Sequence, residues 1–277
     1  MRILFGVQGT GNGHISRSRT LARALRTAGV EVDYLFSGRP ADRYFDMEEF
    51  GAYRAFPGLT FVSHEGRVSP WRTLQAASPL TFWRDLRSLD CSEYDLVVSD
   101  FEPLTAHAAR RYGKPSLTVS HQASFNWPIP RWGEDGVSRQ LMRHFAPVDQ
   151  PLGLHWFHFG HPLLPPVIDP IAAAPDNGEI LVYLPFEQTE AIAALLSRFG
   201  QQHFVCFHPA IRTPSQWRNL RFEPPSRHGF IAVLAGCRGV ISNAGFELAS
   251  EALTLGKKLL VKPLGGQFEQ LTNGKTL

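Results

Sequence analysis

Apolar and polar positions along this chain repeat in one rhythm: a short apolar run, a loop, an amphipathic stretch, then another apolar run. Arg2 to Gln8 reads as a buried strand, Gly9 to His14 as a loop, Ile15 to Ala28 as a helix and Glu31 to Phe36 as the second strand. In that helix Ile15, Ser18, Leu21, Ala22, Leu25 and Ala28 recur at helical spacing and form the packing face. Arg17, Arg19, Arg23 and Arg26 are expected to point away from it as a solvated face, with Arg17 and Arg19 near enough to the loop to help hold an anion.

A short helix is expected from Ala41 to Phe50, then a strand at Tyr53 to Phe56 or at Leu59 to Val62. From Ser63 to Leu89 no period dominates, and Trp71, Leu74, Phe82 and Trp83 interleave with Arg67, Arg72, Arg84 and Arg87. That mixture reads as a helical pair with core aromatics; a membrane-interface segment or an acceptor-groove cover are the alternatives. Tyr94 to Ser99 predicts a buried strand, Pro103 to Tyr112 a helix stopped by Gly113, Ser116 to Ser120 a strand, Gly136 to Phe145 a helix and His155 to Phe159 another strand. Pro162, Pro165, Pro166, Pro170 and Pro175 then break the rhythm, since neither a helix interior nor a central strand accepts them. The domains expected are therefore 1–161 and 176–277, joined by a linker over 162–175.

The second half resumes the alternation: strands at Glu179 to Leu184, His203 to His208, Gly239 to Ser242 and Lys258 to Pro263, with helices at Glu190 to Phe199, Phe230 to Ala235 and Phe246 to Leu255. Strands alternating with helices imply parallel sheets with crossover helices, an α/β fold of two Rossmann-like domains. A length of 277 residues, 43% of them hydrophobic, suits two such cores.

Charge and cysteine usage narrow the partners. A formal net charge of +3 argues against nucleic acid as the main partner. Cys91, Cys206 and Cys237 are odd in number and lack metal-ligand spacing, so they read as free thiols in a reducing compartment. The apolar run Ile3 to Val7 is too short for a signal sequence, and no stretch reaches the roughly 20 apolar residues that cross a bilayer. The expected location is cytoplasmic, with peripheral contact at the inner face of a membrane left open.

The chemistry concentrates at the ends of predicted strands. Ser242-Asn243-Ala244-Gly245 lead into the helix from Phe246, where exposed N–H groups and the dipole favour an anion such as phosphate. Glu247, Ser250, Glu251 and Thr254 share one side of that helix, expected to be its open face, and a carboxylate one or two turns in suits a ribose diol. The loop Gly265 to Gln270 carries Gln267, Glu269 and Gln270, side chains that grip sugar hydroxyls. Asp100, Glu102, His121 and Gln122 follow strands of the first half and are expected to face the crevice at their carboxyl ends.

The loop Gly9-Thr10-Gly11-Asn12-Gly13-His14 excludes some readings. It lacks the Gly-Lys-Ser/Thr ending of a P-loop, its spacing is GxGxG, and Ser37-Gly38-Arg39 stand where an NAD enzyme carries an acid. Arg39 could meet an NADP phosphate, which leaves an NADP oxidoreductase as the last alternative.

The small residues after a strand, Glu251 eight positions past Asn243, and the run Pro263, Glu269-Gln270 and Asn273 resemble the nucleotide-sugar half of GT-B glycosyltransferases. The nearest likeness is to family 28, with its MurG-type N-acetylglucosaminyl transferases, and to the related UDP-glycosyltransferases. The resemblance implies two domains facing a cleft, with Asn243 in the place of a phosphate-binding histidine, Ala244, Gly245, Phe246 and Glu247 around the phosphate, Glu251 on the ribose, and Gln267, Glu269 and Gln270 on the donor sugar. The glycine run ending in His14 resembles the family's N-terminal loop, so Gly11, Asn12 and Gly13 lie under the diphosphate, and Gln8 and Arg17 replace a glycine and a proline of the MurG pattern. It implies His14 as the base for an acceptor hydroxyl, with Asp100 orienting it or acting as base itself. Relatives continue with further helices past the point matching Leu277, so the donor domain is expected to be incomplete.

The function expected is hexosyl or N-acetylhexosaminyl transfer, with inversion, from a nucleotide sugar, UDP-linked, to an acceptor hydroxyl that stays unidentified and includes the lipid-linked class. The nucleotide sugar is a co-substrate; no cofactor and no metal are expected. A non-hydrolysing UDP-sugar epimerase and a catalytically silent nucleotide-sugar binding protein are the alternatives.

Overall fold

The computed structural model describes residues 1–59, 63–64, 67–68 and 78–277. Contacts divide the chain into two compact units, with the break in the main sequence between Asp169 and Pro170. Trp71, Leu74 and Arg72 of the aromatic–basic segment, and the alternative strand over 60–62, lie outside the described residues.

The first unit is a six-stranded parallel sheet built from β1 (Arg2–Gln8), β2 (Glu31–Ser37), β3 (Tyr53–Phe56), β6 (Leu96–Asp100), β7 (Ser116–Ser120) and β8 (Gln150–Gly153), in the order β3-β2-β1-β6-β7-β8. Two two-residue strands, β4 (Ser63–His64) and β5 (Arg67–Val68), pair antiparallel and cluster with the second unit. Because side chains alternate across a strand, β1 feeds two cores. Ile3, Phe5 and Val7 pack with Tyr34, Phe36 and Ile15 of helix α1 (Asn12–Thr27), while Leu4 packs on the other face with Leu35, Val97 and Leu104. The covering elements there are α2 (Pro79–Ser88) and α3 (Pro103–Tyr112), whose start at Pro103 and αL stop at Gly113 match the sequence reading. Helix α4 (Gly136–His144) follows.

The second unit is also six-stranded: β9 (Glu179–Tyr183), β10 (His203–Phe207), β11 (Ser215–Trp217), β12 (Leu220–Glu223), β13 (Gly239–Asn243) and β14 (Lys258–Lys262), in the order β11-β12-β10-β9-β13-β14. All pairs are parallel except β11 with β12. Its helices are α5 (Thr189–Leu196), α6 (Arg227–Gly236), α7 (Phe246–Thr254) and α8 (Phe268–Thr276). Val182, Phe204 and Leu220 serve one face of the sheet, and Leu181, Val205 and Val240 the other. Among the described residues no helix is long and apolar enough to cross a membrane.

Several expectations are corrected. Ala41 to Phe50 is two 3₁₀ turns, Ala41–Arg43 and Glu48–Phe50, because Asp46 adopts φ 52° and Arg19 captures the Phe45 and Asp46 carbonyls that a helix would need. Arg17 and Arg19 are buried rather than solvated, each guanidinium being satisfied by fixed acceptors. His155 to Phe159 is no strand; its rings form a cluster with His121 and Phe159 sits at φ 49°, while the sixth strand lies earlier, at Gln150–Gly153. The hairpin β11–β12 was not expected, although Leu220 and Phe222 alternate with polar residues as a half-buried strand should. The stretch from Gly265 is a loop only as far as Gln267, and Glu269 and Gln270 open α8.

Candidate active site

In the first unit the carboxyl ends of β1 and β6 bring His14 and Asp100 together. β1 runs into the glycine loop, which is held from several sides: Gly9 N–H donates to the Ser37 carbonyl at 2.5 Å, Gln8 Nε2 to Thr10 Oγ1 at 2.7 Å, and Arg39 Nη2 to Asn12 Oδ1 at 2.8 Å. Gly38 permits this approach with φ 107°, and a Cβ there would lie 2.9 Å from Thr10 Oγ1. Arg39 also stacks over Tyr44 at 4.6 Å, so the guanidinium considered for an NADP phosphate is spent on shaping the loop.

α1 begins at Asn12 with Gly11 as an N-cap that offers no side chain, and a Cβ added at Gly11 would meet nothing within 4 Å. His14 thus sits on the first turn, its side chain 15% exposed, with Nδ1 2.9 Å from Asp100 Oδ1. Asp100 is 1% exposed, and both its oxygens accept from Arg17: Oδ2 from Nε at 3.1 Å and Oδ1 from Nη2 at 2.6 Å. Burial opposes the charged carboxylate, but the Arg17 guanidinium and the His14 ring outweigh it and hold the Asp100 carboxyl below its ordinary range. Asp100 is therefore an ionised, fully engaged anchor.

The residue after it, Phe101, has φ 52° and reverses the chain, which sends Glu102 to the opposite task. Glu102 is expected in the crevice but is buried as the N-cap of α3, accepting from Leu104 N, Thr105 N, Thr105 Oγ1 and Ser37 Oγ at 2.6 to 2.9 Å. His121 is likewise buried, its Nδ1 2.9 Å from the Leu154 carbonyl. Of the four residues expected together, Asp100 joins His14, Glu102 and His121 are built into the framework, and Gln122 opens the 3₁₀ turn Gln122–Asn126.

In the second unit β13 ends at Asn243 and α7 starts after Gly245. Gly245 caps the helix without a side-chain bond, and among the described residues a Cβ there would meet nothing within 4 Å. α8 and α5 also lack a side-chain cap, whereas Ser78, Glu102, Asp135 and Ser226 cap the other helices that follow them. Asn243 Nδ2 donates to the Lys262 carbonyl at 2.9 Å, and among the described residues its buried Oδ1 has no hydrogen-bond partner. One of the two Asn243 amide hydrogens thus clamps the neighbouring strand.

The open face expected on α7 is also corrected. Glu247, Ser250 and Glu251 are buried and Leu253 is exposed, so the helix is covered on its polar side. The reason for Glu251 is Arg227, whose Nη2 donates to Glu251 Oε1 at 3.1 Å. Arg227 stands on the first turn of α6, three residues before the helix start expected at Phe230, after the Ser226 cap. Nothing in the sequence pairs it with Glu251 except that both follow predicted strands of one sheet.

The loop after β14 is held by the residues thought to grip the sugar. Gln270 Oε1 accepts from Leu264 N at 2.8 Å, and Asn273 Nδ2 donates to the Ala244 carbonyl at 3.0 Å. Among the described residues the buried Gln267 Oε1 has no hydrogen-bond partner. Lys262 Nζ pairs with Glu187 Oε1 at 2.6 Å, and His208 Nε2 lies 3.0 Å from the Glu187 carbonyl, tying together the loops that follow β9, β10 and β14.

A family model described as Glycosyl transferase family 1 matches residues 1–277. No curated protein matches the chain by sequence. Among solved structures, MurG of Acinetobacter baumannii is similar with a TM-score of 0.55 at 16% identity, covering 99% of this chain and 82% of that one. Arabidopsis thaliana UGT89C1 complexed with UDP gives 0.60 at 13%, covering 100% and 82%. The glycosyltransferase VinC in complex with dTDP gives 0.54 at 16%, covering 95% and 81%. These likenesses show the fold, GT-B, for both units.

Proposed function

The chain belongs to glycosyl transferase family 1, and we propose on that premise that it moves a hexosyl or N-acetylhexosaminyl group from a nucleotide sugar, UDP-linked, to an acceptor hydroxyl with inversion at the anomeric carbon. The observation that carries this reading is the pairing of His14 with a buried, ionised Asp100. With Nδ1–H donated to Asp100, Nε2 carries the lone pair that takes the acceptor proton. The acceptor oxygen then bonds to the anomeric carbon as the bond to the nucleoside diphosphate breaks, and the pair of electrons leaves with the diphosphate.

The donor half of the reading rests on the second unit. The side-chain-free start of α7 suits the diphosphate, and helix N–H groups suit the charge that develops as it departs, without a metal ion. Gln267 and Glu269 at the start of α8 are assigned the donor sugar, while the buried Glu251 and Gln270 act from within the donor half, Glu251 by holding Arg227 toward the ribose side and Gln270 by fixing the Leu264 N–H. The uridine base is chosen over others on the likeness to a fold relative complexed with UDP. Three buried thiols suit the reducing cytoplasm.

The experiment is a panel of nucleotide sugars offered to the chain, with release of nucleoside diphosphate measured alongside transfer. Wild type is expected to turn over at least one UDP-sugar, and Glu251→Ala to weaken UDP binding at least tenfold. Release from none of the panel, or unchanged UDP affinity in the variant, overturns the corresponding half of the assignment.

A further inference from the structure

Arg17 occupies the place where the family 28 pattern has proline, and it is the largest of the fully buried side chains among the described residues. Its fork spans both oxygens of Asp100, and the same Nη2 that lies 2.6 Å from Asp100 Oδ1 lies 3.1 Å from His14 Nδ1. Since Nδ1 is also 2.9 Å from that Oδ1, the three atoms form a closed triangle. They differ in what they can offer: the guanidinium nitrogen only hydrogens, the carboxylate oxygen only lone pairs, the imidazole nitrogen either one.

Two arrangements of the neutral ring follow. With hydrogen on Nδ1, His14 donates to Asp100 and presents a lone pair on Nε2. With Nδ1 bare, it accepts from Arg17 and carries its hydrogen on Nε2, where it cannot take up an acceptor proton. A carboxylate alone beside the ring favours only the first arrangement. Among the described residues, the charged groups bonded to His14 are Asp100 from β6 and Arg17 from the same turn of α1.

We propose that Arg17 is a positioning residue that sets the tautomer of His14: by offering an N–H to Nδ1 it keeps part of the population in the Nε2–H form and so restrains the base that Asp100 would otherwise fully prepare. Interconversion needs only exchange of one ring proton through solvent. The same fork occupies both oxygens of Asp100, which removes the carboxylate as an alternative base. This inference rests on the assignment of His14 as the base.

The test is long-range proton–nitrogen NMR of the uniformly ¹⁵N-labelled full chain at pH 8, with the His14 ring signals identified by their loss in His14→Gln. Wild type is expected to show Nδ1 at a position averaged between protonated and bare, and Arg17→Met to move it to the protonated position, a change of fivefold or more in the tautomer ratio. Arg17→Lys, which keeps the charge, is expected to shift the ratio in the same direction by less, and it serves if the Met variant does not fold. Identical ring-nitrogen positions in wild type and variant, or a wild-type ring already wholly Nδ1–H, overturn the proposal. Turnover is read separately: a wild type that transfers sugar yet shows unchanged nitrogen positions in the variant sinks the Arg17 role alone, whereas a shifted ratio in a chain with no turnover sinks the base assignment alone.

Discussion

Arg227 and Glu251, 24 residues apart in sequence, meet as a 3.1 Å ion pair that ties the first turn of α6 to the second turn of α7. Glu251 is 3% exposed, so the pair is shielded from solvent. Breaking a buried ion pair by removing one member typically costs about 3–5 kcal/mol. Arg227→Met is therefore expected to lower the urea midpoint strongly, and Arg227→Met with Glu251→Gln to recover much of the loss. If the single variant unfolds at the wild-type midpoint, the pair is not what keeps the charge in place.

Two glycines give different expectations. A Cβ at Gly6 would lie 2.0 Å from Thr105 Oγ1 and 2.8 Å from Glu102 Oε2, so Gly6→Ala pushes into the buried cap of α3 and is expected to cost roughly 1–3 kcal/mol. A Cβ at Gly245 meets nothing, and its φ of −74° suits any residue. Gly245→Val should cost roughly 1 kcal/mol of stability, the usual loss of a favoured N-cap residue, while reducing UDP affinity at least tenfold by calorimetry. Retained affinity would show that no ligand approaches that surface.

Acid should destabilise the chain through its buried histidines. Burial, reinforced by His121, pushes the His155 imidazole down to about 4. Between about pH 6.5 and pH 4 the unfolded chain binds a proton at this residue that the folded chain refuses, so stability rises with pH across that window and falls as pH drops through it. The loss approaches roughly 3 kcal/mol at the low end. His107 and His208 are shifted the same way by burial, so His155→Phe is expected to flatten part of the slope. Denaturation midpoints at pH 7 and pH 5 that coincide would contradict this.

The thiols should be silent in the native state. Cys91 is raised to about 11 and Cys206 to about 12 by burial, and Cys237 is raised by burial too. A chromogenic disulfide reagent at pH 8 is expected to label none of the three on the minutes timescale and all three after unfolding. Prompt reaction of one thiol in the native chain would identify a site that opens locally.

Much of this fold was legible because strands and helices announce themselves by local period. The run Leu96–Asp100, the helix from Pro103 to the left-handed Gly113, and the strand Ser116–Ser120 were read almost to the residue, since each is bounded by a proline, a glycine or a change of period. Where the reading failed, a distant side chain had intervened. Arg19 takes the carbonyls that would have closed a helix before Phe50, and ring contacts hold His155 to Phe159 out of the sheet.

The sequence by itself determined the α/β alternation, the family likeness and which residue types stand at the ends of the strands, because hydrophobic period, turn residues and motif spacing are local properties of a chain. It placed His14 and Asp100 on the same candidate site and left open which of them is the base. Only the tertiary structure decided that Arg17 spends both oxygens of Asp100, that Glu102 caps a helix instead of facing ligand, and that Glu251 is buried against Arg227. A buried charge must find its counter-charge in three dimensions, and separations of 83 residues for Arg17 with Asp100 and 24 for Arg227 with Glu251 leave no periodic trace by which the partner could be read.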